Sequence, residues 1–260
     1  MKKKDLRIFK LLEMLRMHHR LNIATVVEKL QISEATARRL FSELESQNKL
    51  IRTHGGVQLA PELESGYSFK VSAAMYTTEK KIIGIAAAKE VRSGDKIFLD
   101  SGTTVLKMSD ALAERIRRHE IKDITVVTNS ISYINNLAEV CNVLLVGGFM
   151  RPERLDICGP LAENNLQKYH FNKSFFGADA ISLTGELMTT DELTGKINRI
   201  AIEHSQKNFL LATSDKFGKT SFVSYQKLNS NFTIFTDFKI NKTFCKKLKK
   251  IFTGPIIINE

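Results

Sequence analysis

The sequence predicts an α/β protein in two parts: a small N-terminal helical unit closed by a β-hairpin, then a larger α/β domain on a largely parallel sheet. Three observations lead there. Apolar residues recur at helical spacing through the first forty-odd positions, two β-like runs flank a Gly-Gly turn just after them, and from Lys96 onward apolar runs alternate with helical segments. With 260 residues and 43% hydrophobic content, the chain can bury one sizeable core and a small second one. The expected divisions are residues 1–60, a connection over 61–78 that lacks a strong period, and 79–260.

Ile8, Leu11, Leu12 and Leu15 predict a first helix from about Lys4 to Met17, and Ala24 to Leu30 predict a shorter second one. His18 and His19, at the end of the first, read as solvated. After the turn Gln31-Ile32-Ser33, Ser33 is a natural N-cap, and Ala37, Leu40, Phe41 and Leu44 share one face of a third helix. At about 100° per residue, Ala35, Arg38, Arg39 and Ser42 face the other way. Two arginines on a helix are ordinarily just a solvated face. The segment Lys49 to Leu59 changes that reading, because two β-like runs around Gly55-Gly56 form a hairpin with Arg52 and His54 at its tip. Helix-turn-helix plus hairpin is a winged helix. Its third helix suits the major groove, where arginine meets guanine edges or phosphates, and its hairpin suits the backbone or minor groove.

Charge agrees. The net +11 is concentrated early: residues 1–60 hold 12 Lys/Arg against 6 Asp/Glu, whereas residues 61–260 hold 27 against 22. Such an excess favours an anionic partner, nucleic acid ahead of membrane. Cys141, Cys158 and Cys245 are far apart, without a C-x-x-C pair, which argues against a disulfide framework or zinc site. The N-terminus leads into a charged amphipathic segment instead of a signal peptide, and no apolar run is long enough to span a bilayer. A cytoplasmic protein without a metal or cofactor is expected.

The larger domain opens with a helix from Glu79 to about Val91, ended by Ser93-Gly94-Asp95. Seven strands are then expected, at Ile97–Asp100, Ile124–Thr128, Val143–Val146, Ser174–Phe176, Phe209–Ala212, Thr233–Thr236 and Ile256–Ile258. Their carboxyl ends carry small and polar residues: Asp100-Ser101-Gly102-Thr103-Thr104, Thr128-Asn129, Gly147-Gly148, Gly177-Ala178-Asp179, Ser214-Asp215-Lys216 and Asp237. In a parallel sheet those ends share one edge, the usual ligand crevice. Ser101 to Thr104 form a ligand loop at a helix start, where glycine's backbone freedom, two hydroxyls and unpaired N–H groups favour a phosphate. The final lysine-rich segment, with Lys239, Lys242, Lys246, Lys247, Lys249 and Lys250, reads as the solvated face of a terminal helix that buries Phe244, Leu248, Ile251 and Phe252.

Two sets of motifs carry a resemblance. Ser33-Glu34-Ala35-Thr36-Ala37-Arg38-Arg39 with Ile51-Arg52-Thr53-His54-Gly55-Gly56-Val57 resembles the DNA-binding signature of DeoR-family bacterial transcription regulators. The stretches Phe98 to Thr104, Val127 to Ser130, Val146 to Gly148, Phe176 to Asp179 and Lys216 to Gly218 resemble that family's effector domain, which has the fold of ribose-5-phosphate isomerase. The resemblance implies that Ser101 to Thr104 hold a phosphate, that Lys216 adds positive charge, and that Asp100, Asn129 and Asp179 bond sugar hydroxyls. Departures accompany it. Leu40 and Phe41 stand where the family usually has Asp and Leu, Ser182 replaces a carboxylate, and Thr213 replaces an Asp.

A regulator of sugar metabolism is therefore expected, a repressor that binds a double-stranded DNA operator and responds to a small phosphorylated sugar. The expected DNA contacts are Ser33, Ala35, Thr36, Arg38, Arg39, Ser42, Arg52 and His54; the expected effector contacts are Asp100, Ser101, Gly102, Thr103, Thr104, Thr128, Asn129, Gly147, Gly148, Asp179 and Lys216. Operator symmetry adds a homo-oligomer with an even number of DNA-binding units. The competing reading is a sugar-phosphate isomerase with an incidental basic N-terminus; Ser182 weakens it by removing a carboxylate such chemistry would use.

Overall fold

A computed structural model describes residues 3–18, 20–46, 49–59 and 67–259. The chain divides into two compact units, residues 1–71 and 72–260. Of the connection expected over 61–78, residues 61–66 lie outside the described residues, as does His19; the rest includes a short helix, α4 (Phe69–Ala73), and the start of α5 (Thr77–Ala88).

In the first unit, α1 (Lys3–His18), α2 (Ile23–Leu30) and α3 (Glu34–Ser46) enclose a core of Leu11, Leu15, Val26, Leu40, Phe41 and Leu44. The expected hairpin is β2 (Leu50–Thr53) with β3 (Gly56–Leu59), but a third strand, β1 (Arg20–Asn22), pairs with β3 from the other side. Three residues are too few for alternation to be recognised in sequence. Gly56 makes that approach possible, since a Cβ there would lie 2.1 Å from the Leu21 carbonyl oxygen. Asn22 ends β1 and caps α2, accepting from the Thr25 N–H at 2.8 Å.

In the second unit every expected strand joins one parallel seven-stranded sheet: β4 (Lys96–Leu99), β5 (Thr125–Thr128), β6 (Asn142–Leu145), β9 (Phe171–Phe176), β12 (Ser205–Leu211), β14 (Phe232–Asp237) and β15 (Ile256–Asn259). The order β15-β14-β12-β9-β4-β5-β6 runs in opposite directions on the two sides of β4. The space between β4 and β9 is thus the switch point, where parallel sheets open their crevice. Ile97, Leu99, Phe175, Phe209 and Phe235 fill the core on one face, with Phe175 and Phe209 stacked at 4.7 Å. Helix α5 and the helix after β4, α6 (Thr103–Arg117), cover that face. Phe98, Phe171, Ile197 and Ala201 lie on the other, where α9 (Glu192–Glu203) packs.

Two additions are not expected from the sequence. A hairpin of β7 (Phe149–Arg151) and β8 (Asp156–Cys158) follows β6, and β10 (Ala180–Ile181), β11 (Glu186–Thr189) and β13 (Val223–Lys227) form an antiparallel sheet. Strands β7 and β8 have three residues each and β10 two, too few to show a period. Helix α7 (Ile134–Ala138) precedes β6, and α8 (Pro160–Leu166) follows β8. The terminal helix α10 (Lys242–Ile251) buries Phe244, Cys245 and Leu248 and exposes its lysines. Two details differ from expectation: Ile251 is exposed, and Lys239 precedes the helix, held by Glu79 at 2.5 Å.

Candidate functional site

The winged helix builds its face from α3. Ser33 caps the helix, its Oγ accepting from the Thr36 N–H at 3.3 Å and hydrogen-bonding Thr36 Oγ1 at 2.9 Å. Ala35, Arg38, Arg39 and Ser42 are exposed together, opposite the buried stripe Ala37, Leu40, Phe41 and Leu44. Arg38 is held by Glu34 one turn earlier at 2.5 Å, while Arg39 extends without an ion pair among the described residues. His54 occupies the exposed hairpin turn as expected. Arg52 does not: it lies within β2, its backbone N–H given to Glu45 Oε1 at 3.0 Å and its guanidinium to Ser42 Oγ at 3.2 Å. That bond ties wing to recognition helix.

At the sheet, Asp100 leaves β4 and crosses the switch point. Its Oδ1 accepts from the Gly102 N–H at 2.7 Å and its Oδ2 from the Gly177 N–H at 2.9 Å, beyond β9. Burial pushes this carboxyl up to about 7, although both N–H groups favour its charge. Gly102 has ordinary extended angles (φ −67°, ψ 143°), so it is not glycine for the sake of backbone freedom. The reason is space, because a Cβ would stand 2.8 Å from Asp100 Oδ1. No side chain among the described residues caps α6, so its first N–H groups have no partner within the helix.

The other expected residues divide into two groups. Ser101 and Gly102 are half-buried, Thr103 and Thr104 nearly covered, and Lys216 sits in the turn after β12 near Asp215 at 3.6 Å. Asn129 Nδ2 donates to the Ile157 carbonyl, whereas its buried Oδ1 has no hydrogen-bond partner among the described residues. Asp179 Oδ2 already accepts from the Thr190 N–H and the hydroxyls of Thr189 and Thr190. Thr128 is wholly buried, donating to the Leu99 carbonyl at 2.7 Å and meeting Tyr133 Oη at 2.9 Å; it braces β4 against β5 instead of facing a ligand. Gly147 and Gly148 are exposed beyond β6. Ser182, in place of the missing carboxylate, closes the turn before β11 by accepting from the N–H groups of Thr184 and Glu186.

Sequence reasoning missed two groups. Lys80 is buried in α5, its Nζ donating to the Ser72 carbonyl at 2.6 Å, and Ser72 Oγ lies 3.2 Å from Thr103 Oγ1 at the start of α6. Burial lowers its pKa to about 8, with further repulsion from Lys216 and Lys107 and some relief from Asp215. Lys80 makes no ion pair among the described residues. The second group is Arg151, bonded to Asp156 at 2.6 and 2.8 Å and to Asp191 at 2.7 Å. Burial disfavours this guanidinium's charge, but the two carboxylates outweigh it and raise its pKa. Ser101 Oγ donates to the same Asp156, at 3.3 Å.

A winged-helix unit followed by an α/β unit with polar strand ends gathered at its switch point fits a DNA-binding regulator with a sensing domain. The comparisons agree. A DeoR-like helix-turn-helix domain matches residues 7–62 and a DeoR C-terminal sensor domain matches residues 75–238. The chain belongs to the DeoR family of transcriptional regulators. It is 32% identical to the lactose phosphotransferase system repressor of Lactococcus lactis subsp. lactis, over 80% of this chain and 81% of that protein. It is 32% identical to the transcriptional repressor GlcR of Bacillus subtilis (79% and 78% covered) and 31% identical to the uncharacterized regulator YulB of the same species (78% and 77%). Among solved structures, ribose 5-phosphate isomerase A from Methanocaldococcus jannaschii aligns with a TM-score of 0.40 and 18% identity over 53% of each chain.

Proposed function

We propose that this protein is a cytoplasmic repressor of a sugar-metabolism operon, whose affinity for its double-stranded DNA operator changes on binding a small phosphorylated sugar. It works as a homo-oligomer with an even number of winged helices. The relative named as the lactose phosphotransferase system repressor supports the sugar-operon part, and the one named as the transcriptional repressor GlcR supports repression. The observation that carries the effector is Lys80: a buried ammonium without an ion pair among the described residues, only partly offset by Asp215, joined through Ser72 to the start of α6 and close enough to Lys216 to feel its charge. A phosphate supplies the missing negative charge. Asn129 Oδ1, buried and unpaired among the described residues, supplies an acceptor for a sugar hydroxyl.

The isomerase reading fares worse because the carboxylates of the crevice are already engaged. Asp100 braces two loops, Asp179 holds three donors, and Asp237 accepts from the Ser214 N–H at 2.7 Å. An isomerase base has to come within hydrogen-bond reach of the proton it removes, in competition with the donors already on these carboxylates. The deciding experiment is operator binding by fluorescence anisotropy across a panel of sugar phosphates, alongside an isomerase assay on the same panel. Effector-dependent operator affinity without turnover is the expected result; turnover with no effect on operator binding would overturn the proposal.

A further inference from the structure

One border of the large sheet is bare. Strand β6 bonds to β5 along one side and ends the sheet on the other. Successive strand residues point to opposite faces, and both faces of a parallel sheet are normally covered by helices. Yet Leu144 and Leu145 are both exposed, at 39% and 41%. Helix α7 packs near Val143, which is half-buried, and leaves both leucines open. Beyond the strand, Phe149 is 72% exposed with Met150 beside it. Leu161, at the start of α8, is also exposed, and an ideal Cβ on the nearby Gly159 would lie 3.8 Å from Phe149 Cβ. The opposite border, β15, is half-buried apart from Ile258.

Monomeric proteins guard a free edge with lysine, proline or a bulge. Strand β6 has none of these, and its register with β5 is unbroken. From Cys141 to Met150 no side chain is charged, in a chain where 26% of residues are.

We propose that this edge binds a second copy of the chain, β6 pairing antiparallel with its counterpart across a twofold axis while Phe149, Met150 and Leu161 pack at the two ends of the paired strands. The occupant follows from charge. A twofold sets the strand against itself, so any charge near the axis would meet its own kind; the ten-residue neutral stretch avoids that. Pairing of winged helices on operator half-sites points the same way and rests on the regulatory reading; the bare, neutral edge does not. The hairpin that carries Phe149 also carries Asp156, the partner of Ser101, so the effector loop and this border share an element.

The test is sedimentation velocity of the full chain from nanomolar to tens of micromolar, for wild type, Leu144→Lys, Phe149→Asp and, as a control on a separate exposed loop, Phe222→Ser. The wild type and the control should associate to an even-numbered species. Leu144→Lys and Phe149→Asp should each weaken self-association by ~30-fold or more, the loss expected for a residue at the centre of an interface, with unchanged circular dichroism. Should Leu144→Lys misfold, Phe149→Asp decides alone, since that side chain stands in solvent. A wild type that stays monomeric, or variants that associate as tightly as it does, would overturn the proposal. Thermal stabilisation by sugar phosphates is measured on the same samples. A monomer still stabilised by them removes the interface and keeps the effector; a dimer indifferent to them does the reverse.

Discussion

Ser101 and Asp156 join the ligand loop to the β7–β8 hairpin: Ser101 Oγ donates to Asp156 Oδ2 at 3.3 Å, and the same carboxylate takes two N–H bonds from Arg151. Ser101→Ala removes the junction while leaving the Arg151 pair in place. Its cost to stability should stay near ~1 kcal/mol, the net worth of one hydrogen bond. Asp156→Ala leaves a largely buried guanidinium with one carboxylate, Asp191, and the Thr194 hydroxyl, and should cost ~3–5 kcal/mol. Urea melts of the two variants check this ranking; equal losses would mean that Asp156 is not the keystone of the cluster.

On the DNA face, Arg38 and Arg39 should carry most of the sequence preference. The Glu34–Arg38 pair is no obstacle, because a pair this exposed contributes ~0.5 kcal/mol or less and gives way to a base or phosphate. Alanine at a base-reading arginine should cost ~1–3 kcal/mol and relax specificity, whereas loss of a phosphate contact should lower the salt slope by about one unit. Operator and random-sequence titrations at two salt concentrations separate the two roles. Unchanged operator affinity in the double variant would remove α3 from the interface.

The lysine-rich α10 should take no part in that binding. Its lysines are exposed around a buried stripe of Phe244, Cys245 and Leu248, the arrangement of a solvated face. Neutralising Lys246, Lys249 and Lys250 should leave the salt dependence of operator affinity where it was. A markedly shallower slope would make the helix a second DNA contact.

Lys80 gives a pH signature of definite sign. Its pKa in the folded chain, about 8, lies below the ordinary lysine value of 10.5. The folded state therefore holds this proton less well than the unfolded one, and the stability involved is present above 10.5 and lost as pH falls through about 8. Relative to wild type, Lys80→Met should gain stability over that interval, at up to ~1.4 kcal/mol per pH unit. Effector binding should respond the other way. A sugar phosphate keeps its charge above neutral pH, so wild-type affinity should fall as pH rises past about 8 and Lys80 turns neutral. Calorimetry in buffers of different ionisation enthalpy should show proton uptake near that pH; none at all would place the phosphate away from Lys80.

How much of this could be read in sequence depends on the length of each signal. The seven sheet strands are apolar runs bounded by small polar residues, and all seven were legible, as was α3 with its cap at Ser33. Strands of two or three residues, such as β1, β7 and β10, carry no period to detect. Lys80 was hidden by company. In Glu79-Lys80-Lys81 it looks like a charged helix start, yet Lys80, Ile83, Gly84 and Ala87 follow the spacing of one buried stripe. A lysine within such a stripe is the signal to seek. Arg151 and Asp156 sit five residues apart in a hairpin that sequence did not reveal, so their pairing was out of reach. Thr128 was placed at the correct strand end, but whether its hydroxyl faces ligand or core depends on Tyr133 and the Leu99 carbonyl.

The last prediction concerns switching, and it separates the two jobs of the chain. If Lys216 and the 101–104 loop hold the phosphate, Lys216→Ala should leave operator binding intact in the absence of effector while weakening the response to it. Gly102→Ala should act more severely. Its new Cβ would stand 2.8 Å from Asp100 Oδ1, so the brace across the switch point has to shift, and the first N–H groups of α6 move with it. A ligand moves a conformational equilibrium only by its difference in affinity for the two states, commonly ~1–3 kcal/mol of coupling. Release from the operator is the expected direction, so both variants should repress at sugar-phosphate concentrations that release the wild type. Thermal shift adds an independent reading, since a ligand at 100 times its Kd stabilises the folded state by ~2.7 kcal/mol. Wild type should show that gain and Lys216→Ala a smaller one. If Lys216→Ala still leaves the operator at the wild-type effector concentration, the phosphate is bound elsewhere and the crevice at β4 is not the sensor.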